Sequence, residues 1–200
     1  MSATRSPIGV VRGSSYSRSV FLPRTTVKGS DYASVTYDRN VAAVSDLPLS
    51  LRLFLRTYPW RRIDPVPWSP LAKPLHEARV AIVSTAGLVL PSQERFDDEV
   101  RGGDFSFREV PSDADTSTLI DTHRSGSYDH SGVHADANLA FPIDRMRELA
   151  AQGAIGSVNH RHFSLMGSIT APGRLTAHSA PLVADALAAD GVNAVLLVPI

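Results

Sequence analysis

The apolar run Val192-Asn-Ala-Val-Leu-Leu-Val198 constrains the fold of this chain more than any other stretch. A nearly continuous run of this kind suits a strand buried on both faces, as in parallel sheets. A helix precedes it directly. Ser179 is its expected N-cap, with Pro181 just inside. Leu182, Val183, Ala186, Leu187 and Ala189 give it an apolar stripe, and Asp190-Gly191 stops it. Helix, short loop and buried strand in succession specify an α/β domain.

The same pattern recurs upstream. Pro142 opens a second helix, Asp144 favours its positive end, and Ile143, Met146, Leu149 and Ala150 form its apolar face. Gly153 suits the left-handed position that ends it. Arg79 to Leu90 reads as a strand and the turn beyond it, with Val80 to Val83 as a buried run. Asp104 to Pro111 alternates as a short strand does, and Thr118 to Thr122 starts another. Leu47 to Tyr58 predicts a helix with Leu51, Phe54, Leu55 and Tyr58 on one face. The prolines between Pro59 and Pro74 forbid a regular helix. They predict an extended arm that lays Trp60 and Trp68 on the domain, or else the wall of an aromatic pocket.

The expected architecture is therefore α/β, a mainly parallel sheet with flanking helices and a proline-rich N-terminal arm. Residues 1–45 read as a poorly ordered tail and residues 46–200 as the domain. The tail is rich in Ser, Thr and Arg, with no acidic residue before Asp31. That composition fits a transit peptide or a disordered extension. Formal net charge is zero, so charge gives no argument for nucleic acid or an anionic membrane. No apolar run approaches the roughly 20 residues of a spanning helix.

Three places carry candidate chemistry. Ser84-Thr85-Ala86-Gly87 lies at the C-terminal end of its strand, where parallel sheets bind ligands. It contains neither a GxGxxG pattern nor a Walker lysine. His123 to Asn138 carries His123, Tyr128, Asp129, His130, His134, Asp136 and Asn138 without helical or strand period. It reads as a loop, so the His130–His134 spacing sets no shared face. It suits a substrate-binding wall, a structural loop, or a divalent-metal site through His123, His130 and His134. In His160-Arg-His-Phe-Ser164, His160, His162 and Ser164 face one side of an extended segment. Such a histidine would donate a proton to a leaving group, or hydrogen-bond at a strand edge. His76 and His178 read as surface residues. The chain holds no cysteine, which excludes disulfides, thiolate metal sites and a cysteine nucleophile within it.

The segments HADANLAFPIDRMRELAAQGAIGSV, HFSLMGSITAPGRL and DGVNAVLLVPI, with SPLAKPLHEARVAIVSTAGLVL and GDFSFREVP upstream, resemble the selenoprotein B family. These are the B-type subunits of glycine, sarcosine, betaine and D-proline reductases. The resemblance spans about Trp60 to Ile200. It implies reductive C–N cleavage of an amino acid or betaine by a selenol or thiol, with a thioredoxin-like reductant. It also implies other reductase subunits as partners, a pyruvoyl group on one of them, and a cytoplasmic location. It favours His130, Asp136 and Asn138 as substrate-binding residues, which join Ser84 and Ser164 from the strand-end and extended-segment readings, with His162 in a supporting role. No catalytic residue lies within the chain, and no metal is favoured.

The family's redox residue follows a strand like Val192–Val198. The expectation is a reading frame that stops at a UGA selenocysteine codon after Ile200, leaving the domain incomplete and the 200 residues inactive. The alternatives are a cysteine-free remnant that binds a ligand or partner, and a metal-dependent hydrolase built on the His123–Asn138 loop.

Overall fold

A computed structural model describes residues 44–58 and 62–200, and the backbone of residues 9–12. These residues fall into two compact units. One comprises Gly9–Arg12 with Trp68–Ile200, the other the described part of Tyr16–Pro67. Most of the predicted tail, and Trp60, lie outside the described residues. Of the tail, residues 44–45 and strand β1 (Gly9–Arg12) are described.

The smaller unit holds a 3-10 turn at Val44–Asp46 and helix α1 (Leu49–Thr57). The predicted helix is present, two residues shorter at its start. None of its residues is buried, although Phe54 and Tyr58 stack at 5.3 Å between ring centroids. Trp68, in the larger unit, is 80% exposed. It is not laid on the domain as the proline-rich arm predicts, and residues 70–74 after it are exposed as well.

The larger unit is α/β. After β2 (Arg79–Ser84) come β3 (Leu88–Val89), β4 (Phe107–Pro111), β5 (Ile120–Asp121) and helix α2 (His130–Ala135). Helix α3 (Ile143–Ala151), β6 (Ser157–Val158), β7 (Arg161–Leu165), helix α4 (Ala180–Ala189) and β8 (Ala194–Val198) complete it. The sheet order is β1-β8-β2-β7-β4, with β6 beside the start of β2. All pairs are parallel except β4 with β7. β3 and β5 form a separate antiparallel pair just past the end of β2.

The chain leaves β2 for β7 on one side, then returns from β7 to β8 on the other. Right-handed crossovers in opposite directions place their helices on opposite faces. The cores agree. Ile143 and Met146 of α3 pack with Val80, Ile82 and Ala194. Val183 and Leu187 of α4 pack with Ala81, Val195 and Phe163. β8 is covered on both faces, as its unbroken apolar run demands.

The N-terminal cap of α4 differs from expectation. Ser179 has helical φ and ψ and makes no cap hydrogen bond, because a π-helical turn at Leu175–Ser179 carries the helix upstream. Its hydroxyl donates to the Phe105 carbonyl instead.

At the opposite end of α4, Asp190 accepts from Arg161 Nε at 2.8 Å and from Asn159 Nδ2 at 3.0 Å. The Arg161 hydrogen bonds hold its carboxyl down at about 2. Asp190→Asn is expected to cost about 2 kcal/mol at pH 7, the worth of a charge-assisted hydrogen bond. The folded pKa lies below the unfolded one, so this stability is present above about pH 4 and is lost as pH falls toward 2. Urea denaturation should show the gap between the two proteins closing over that window. A gap that stays constant would exclude the carboxylate charge as its source.

Among the described residues, no helix is long and apolar enough to cross a membrane.

Candidate functional site

The reversal of strand order puts a switch point between the C-terminal ends of β2 and β7. In open α/β sheets this is where ligands bind. The turn after β2 is tied to its neighbours by the backbone. Thr85 N–H donates to Val198 O at 3.0 Å and Gly87 N–H to Leu165 O at 2.9 Å. Thr85 Oγ1 accepts the Ile200 N–H at 2.8 Å.

Ser84 and Ser164 are register partners at this end, both fully buried. Ser84 Oγ donates to Ala140 O at 2.7 Å and accepts the Ala86 N–H at 3.2 Å. Ser164 Oγ has no protein partner. An unpaired buried hydroxyl is costly, so it marks a place where a ligand atom or water completes the bonding.

His123 closes the switch point from above. A Cβ on Gly167 would stand 2.6 Å from Thr85 O and 2.9 Å from His123 Cδ2, so the Nε2–Cδ2 edge of the imidazole is pressed against this turn. His123 Nδ1 accepts the Ser125 N–H at 3.3 Å, which leaves the neutral ring's proton on Nε2. Nε2 is buried without a partner. Burial holds the ring below the usual histidine range. Tyr128 stacks on it at 4.7 Å, and its buried hydroxyl also has no partner. Burial, with Asp121 and Asp129 nearby, pushes that phenol up to about 12. Two neutral donors are thus held ready for an acceptor.

The segment read as a loop contains helix α2, which corrects the sequence reading. Asp129 caps it, accepting from Gly132 N–H at 3.3 Å and Ser131 Oγ at 2.6 Å. His130 and His134 therefore do share a face. Both meet Asp121 Oδ2, at 2.5 Å from His130 Nδ1 and 3.3 Å from His134 Nε2. His130 Nε2 lies 3.0 Å from Ser125 O. Both ring nitrogens of His130 thus face acceptors, and the Asp121 hydrogen bond raises its pKa. The sequence reading passed over Asp121, two residues before the first histidine of the segment. His123, expected with these two histidines as a ligand set, points to Gly167 instead.

Asp136 and Asn138 sit at the entry to α3, at the same end of the sheet. Asp136 accepts the Asn138 N–H at 2.9 Å. Asn138 Oδ1 accepts the Asp144 N–H at 3.0 Å, and Asn138 Nδ2 donates to Asp144 Oδ2 at 2.8 Å. Thr116 Oγ1 donates to the same Asp144 oxygen at 2.6 Å. Both predicted site residues are thus engaged in shaping the turn before α3.

His162 lies lower, inside the sheet. β6 pairs with Arg79 and Val80, β7 with Val83 and Ser84, and the ladder breaks between them. The Ile82 N–H in that gap donates to His162 Nδ1 at 3.1 Å. Burial first, then Arg147 and His160, pushes the ring down to about 4. It is therefore neutral at pH 7. His160 is exposed, and His76 and His178 are surface residues as read.

Two cavities open nearby. One of about 490 Å³, between α4 and the ends of β2, β7 and β8, is apolar except for Thr85. The other, about 170 Å³, is bordered by Asp121, His134, Thr116 and Asp136.

The family model for glycine/sarcosine/betaine reductase selenoprotein B matches residues 38–199. D-proline reductase subunit gamma of Acetoanaerobium sticklandii is 38% identical over 136 residues, 68% of this chain and 54% of that protein. Glycine reductase complex component B subunit gamma of Carboxydothermus hydrogenoformans is 30% identical over 147 residues, 72% of this chain and 33% of that protein. Sarcosine reductase complex component B subunit beta of Peptoclostridium acidaminophilum is 32% identical over 148 residues, again 72% and 33%. The chain thus spans about half the length of the first relative and about a third of the other two. No solved structure matches it.

Proposed function

The chain belongs to the glycine/sarcosine/betaine reductase selenoprotein B family, and from that premise we propose that it is the substrate-facing α/β portion of a multi-subunit reductase. The family match over residues 38–199 carries this reading. The switch-point crevice supports it, with the unpartnered Ser164 hydroxyl and the His123 Nε2–H beside it. Ser84 and Ser164 form its floor, and His130, Asp136 and Asn138 its outer wall. His162 supports the floor from below as a positioning residue.

The reaction is reductive cleavage of a C–N bond in an amino acid or betaine. The C–N bond breaks, a C–H and an N–H bond replace it, and the electron pair comes from a dithiol oxidised to a disulfide. A thioredoxin-like protein restores that dithiol. The 200 residues hold no cysteine, so the selenol or thiol that attacks carbon comes from outside them. A pyruvoyl group on a companion subunit would supply an electrophile that activates a primary or secondary amine. This chain's part is to bind the carboxylate, exclude water and keep the His123 and His162 imidazoles neutral near the redox centre.

Purified with its companion subunits and a dithiol, the protein is expected to cleave the C–N bond of one member of a panel of glycine, sarcosine, betaine and D-proline, releasing ammonia or an amine from the first three or opening the D-proline ring, followed by NMR. Ser164→Val is expected to weaken substrate binding by about 10- to 100-fold yet keep the fold, because the hydroxyl has no partner within the protein to lose. No dithiol-dependent cleavage across the panel, and no ligand-induced thermal shift, would end the enzymatic reading.

A further inference from the structure

The structure assigns a divalent-cation site of the zinc type to Asp121, His130 and His134, a set that shares His130 with the outer wall of the switch-point crevice but does not depend on the reductase reading. One oxygen and two imidazole nitrogens form a donor set that suits borderline divalent metals. The three ligand atoms lie within 4.8 Å of one another, close enough to converge on one ion. One turn of α2 brings both histidines over the carboxylate, whose side chain is only 2% exposed.

The surroundings orient each ligand as metal sites require. A ligating histidine normally gives its other N–H to a carbonyl or carboxylate, and ligating carboxylates are themselves hydrogen-bonded. His130 presents Nδ1 to the site while Nε2 meets Ser125 O at 3.0 Å. Asp121 presents Oδ2 while Oδ1 accepts the His123 N–H at 2.9 Å. His134 is 64% exposed and offers Nε2. Three protein ligands leave a fourth position open, and Asp121 and His134 border the cavity of about 170 Å³ that would hold a water or carboxylate there.

Binding replaces the proton between His130 Nδ1 and Asp121 with the cation, and that proton goes to solvent. His130 Nδ1 and Asp121 Oδ2, 2.5 Å apart across that proton, part by about 0.8 Å to take bonds of about 2.0 Å to a tetrahedral zinc.

The test is isothermal titration of the EDTA-treated 200-residue protein with zinc chloride at pH 7, with magnesium chloride as comparator. One equivalent of zinc should bind at micromolar concentration or tighter, with magnesium silent. His134→Ala should weaken binding by about 100-fold or more. It removes an exposed side chain and leaves the Asp129 cap and the His130 contact to Asp121 that hold α2. His76→Ala, at a histidine far along the chain on the surface, should change nothing. Zinc should also shift the imidazole proton resonances of His130 and His134 together. No saturable zinc binding, or zinc binding that survives His134→Ala undiminished, would overturn the site and leave Asp121 with a histidine ion pair only.

Discussion

Replacing His162 with Asn is expected to remove most of the acid sensitivity of this fold between pH 6.5 and about 4. The ring is fully buried in the sheet, and burial is the main cause of its low pKa, about 4 against 6.5 for a free histidine. The unfolded chain takes up the proton near pH 6.5, the folded chain only near pH 4. The unfolded state therefore binds more protons across that window, and stability falls as pH falls through it. A shift of this size is worth about 3 kcal/mol when fully developed. Asn does not titrate, and its carbonyl oxygen can replace Nδ1 as acceptor for the Ile82 N–H. His162→Leu should behave differently. It abolishes the ring's titration too, but leaves a buried N–H unpaired at a cost of about 2 kcal/mol at every pH. Urea midpoints for the three proteins at pH 7 and pH 4.5 separate these effects. A pH slope in His162→Asn as steep as in the parent would shift the cause to other groups, His123 first among them.

That histidine also shows how far the sequence could be read. The strand at Arg79–Ser84, the run before Pro199 and the helices α3 and α4 were legible because burial prints a local apolar period on each. The place of His162 in a ladder break was not. It depends on β6 and β7 lying end to end beside β2, which no local pattern encodes. The missed helix α2 has a similar cause. Its six residues, His-Ser-Gly-Val-His-Ala, hold too few apolar side chains for a period. It stands on the Asp129 cap and on two histidine contacts to Asp121, which arrives on β5 through pairing with β3. Asp104 to Ser106 misled in the opposite direction. Their alternation reads as strand, but Asp104 accepts from Ser106 N–H at 2.8 Å and from Asp97 N–H at 2.9 Å, and the strand begins only at Phe107. Side-chain hydrogen bonds that compete with the ladder overrode the pattern there. At the candidate site, Ser84 and Ser164 were visible as small residues near strand ends. The contact of His123 with Gly167 was not, since it joins segments 44 residues apart only after the sheet has formed.

Gly167→Ala is expected to damage the switch point more than any other single methyl added there. Its cost is steric. The added carbon would stand 2.6 Å from Thr85 O and against the imidazole of His123, well inside van der Waals contact. Neither neighbour can yield cheaply. The Thr85 peptide is held by its N–H to Val198 O at 3.0 Å and by its hydroxyl to the Ile200 N–H at 2.8 Å. The His123 backbone is held too, because a Cβ on Gly87 would itself come within 3.1 Å of His123 Cα. Relief therefore opens the closure between β2 and β7, at about 3 kcal/mol, the upper part of the usual range for overpacking. Gly153→Ala is the matching control. Gly153 has φ +71 with no atom within 4 Å of an added Cβ, so its cost is conformational alone, about 1 kcal/mol. The double variant Gly167→Ala, His123→Ala removes one of the two clashing groups and should recover part of the loss, leaving the share due to the Thr85 carbonyl. Chemical denaturation of the four proteins measures these terms. A Gly167→Ala protein no less stable than Gly153→Ala would mean that the turn after β7 is loose, and that His123 does not seal the ends of β2 and β7.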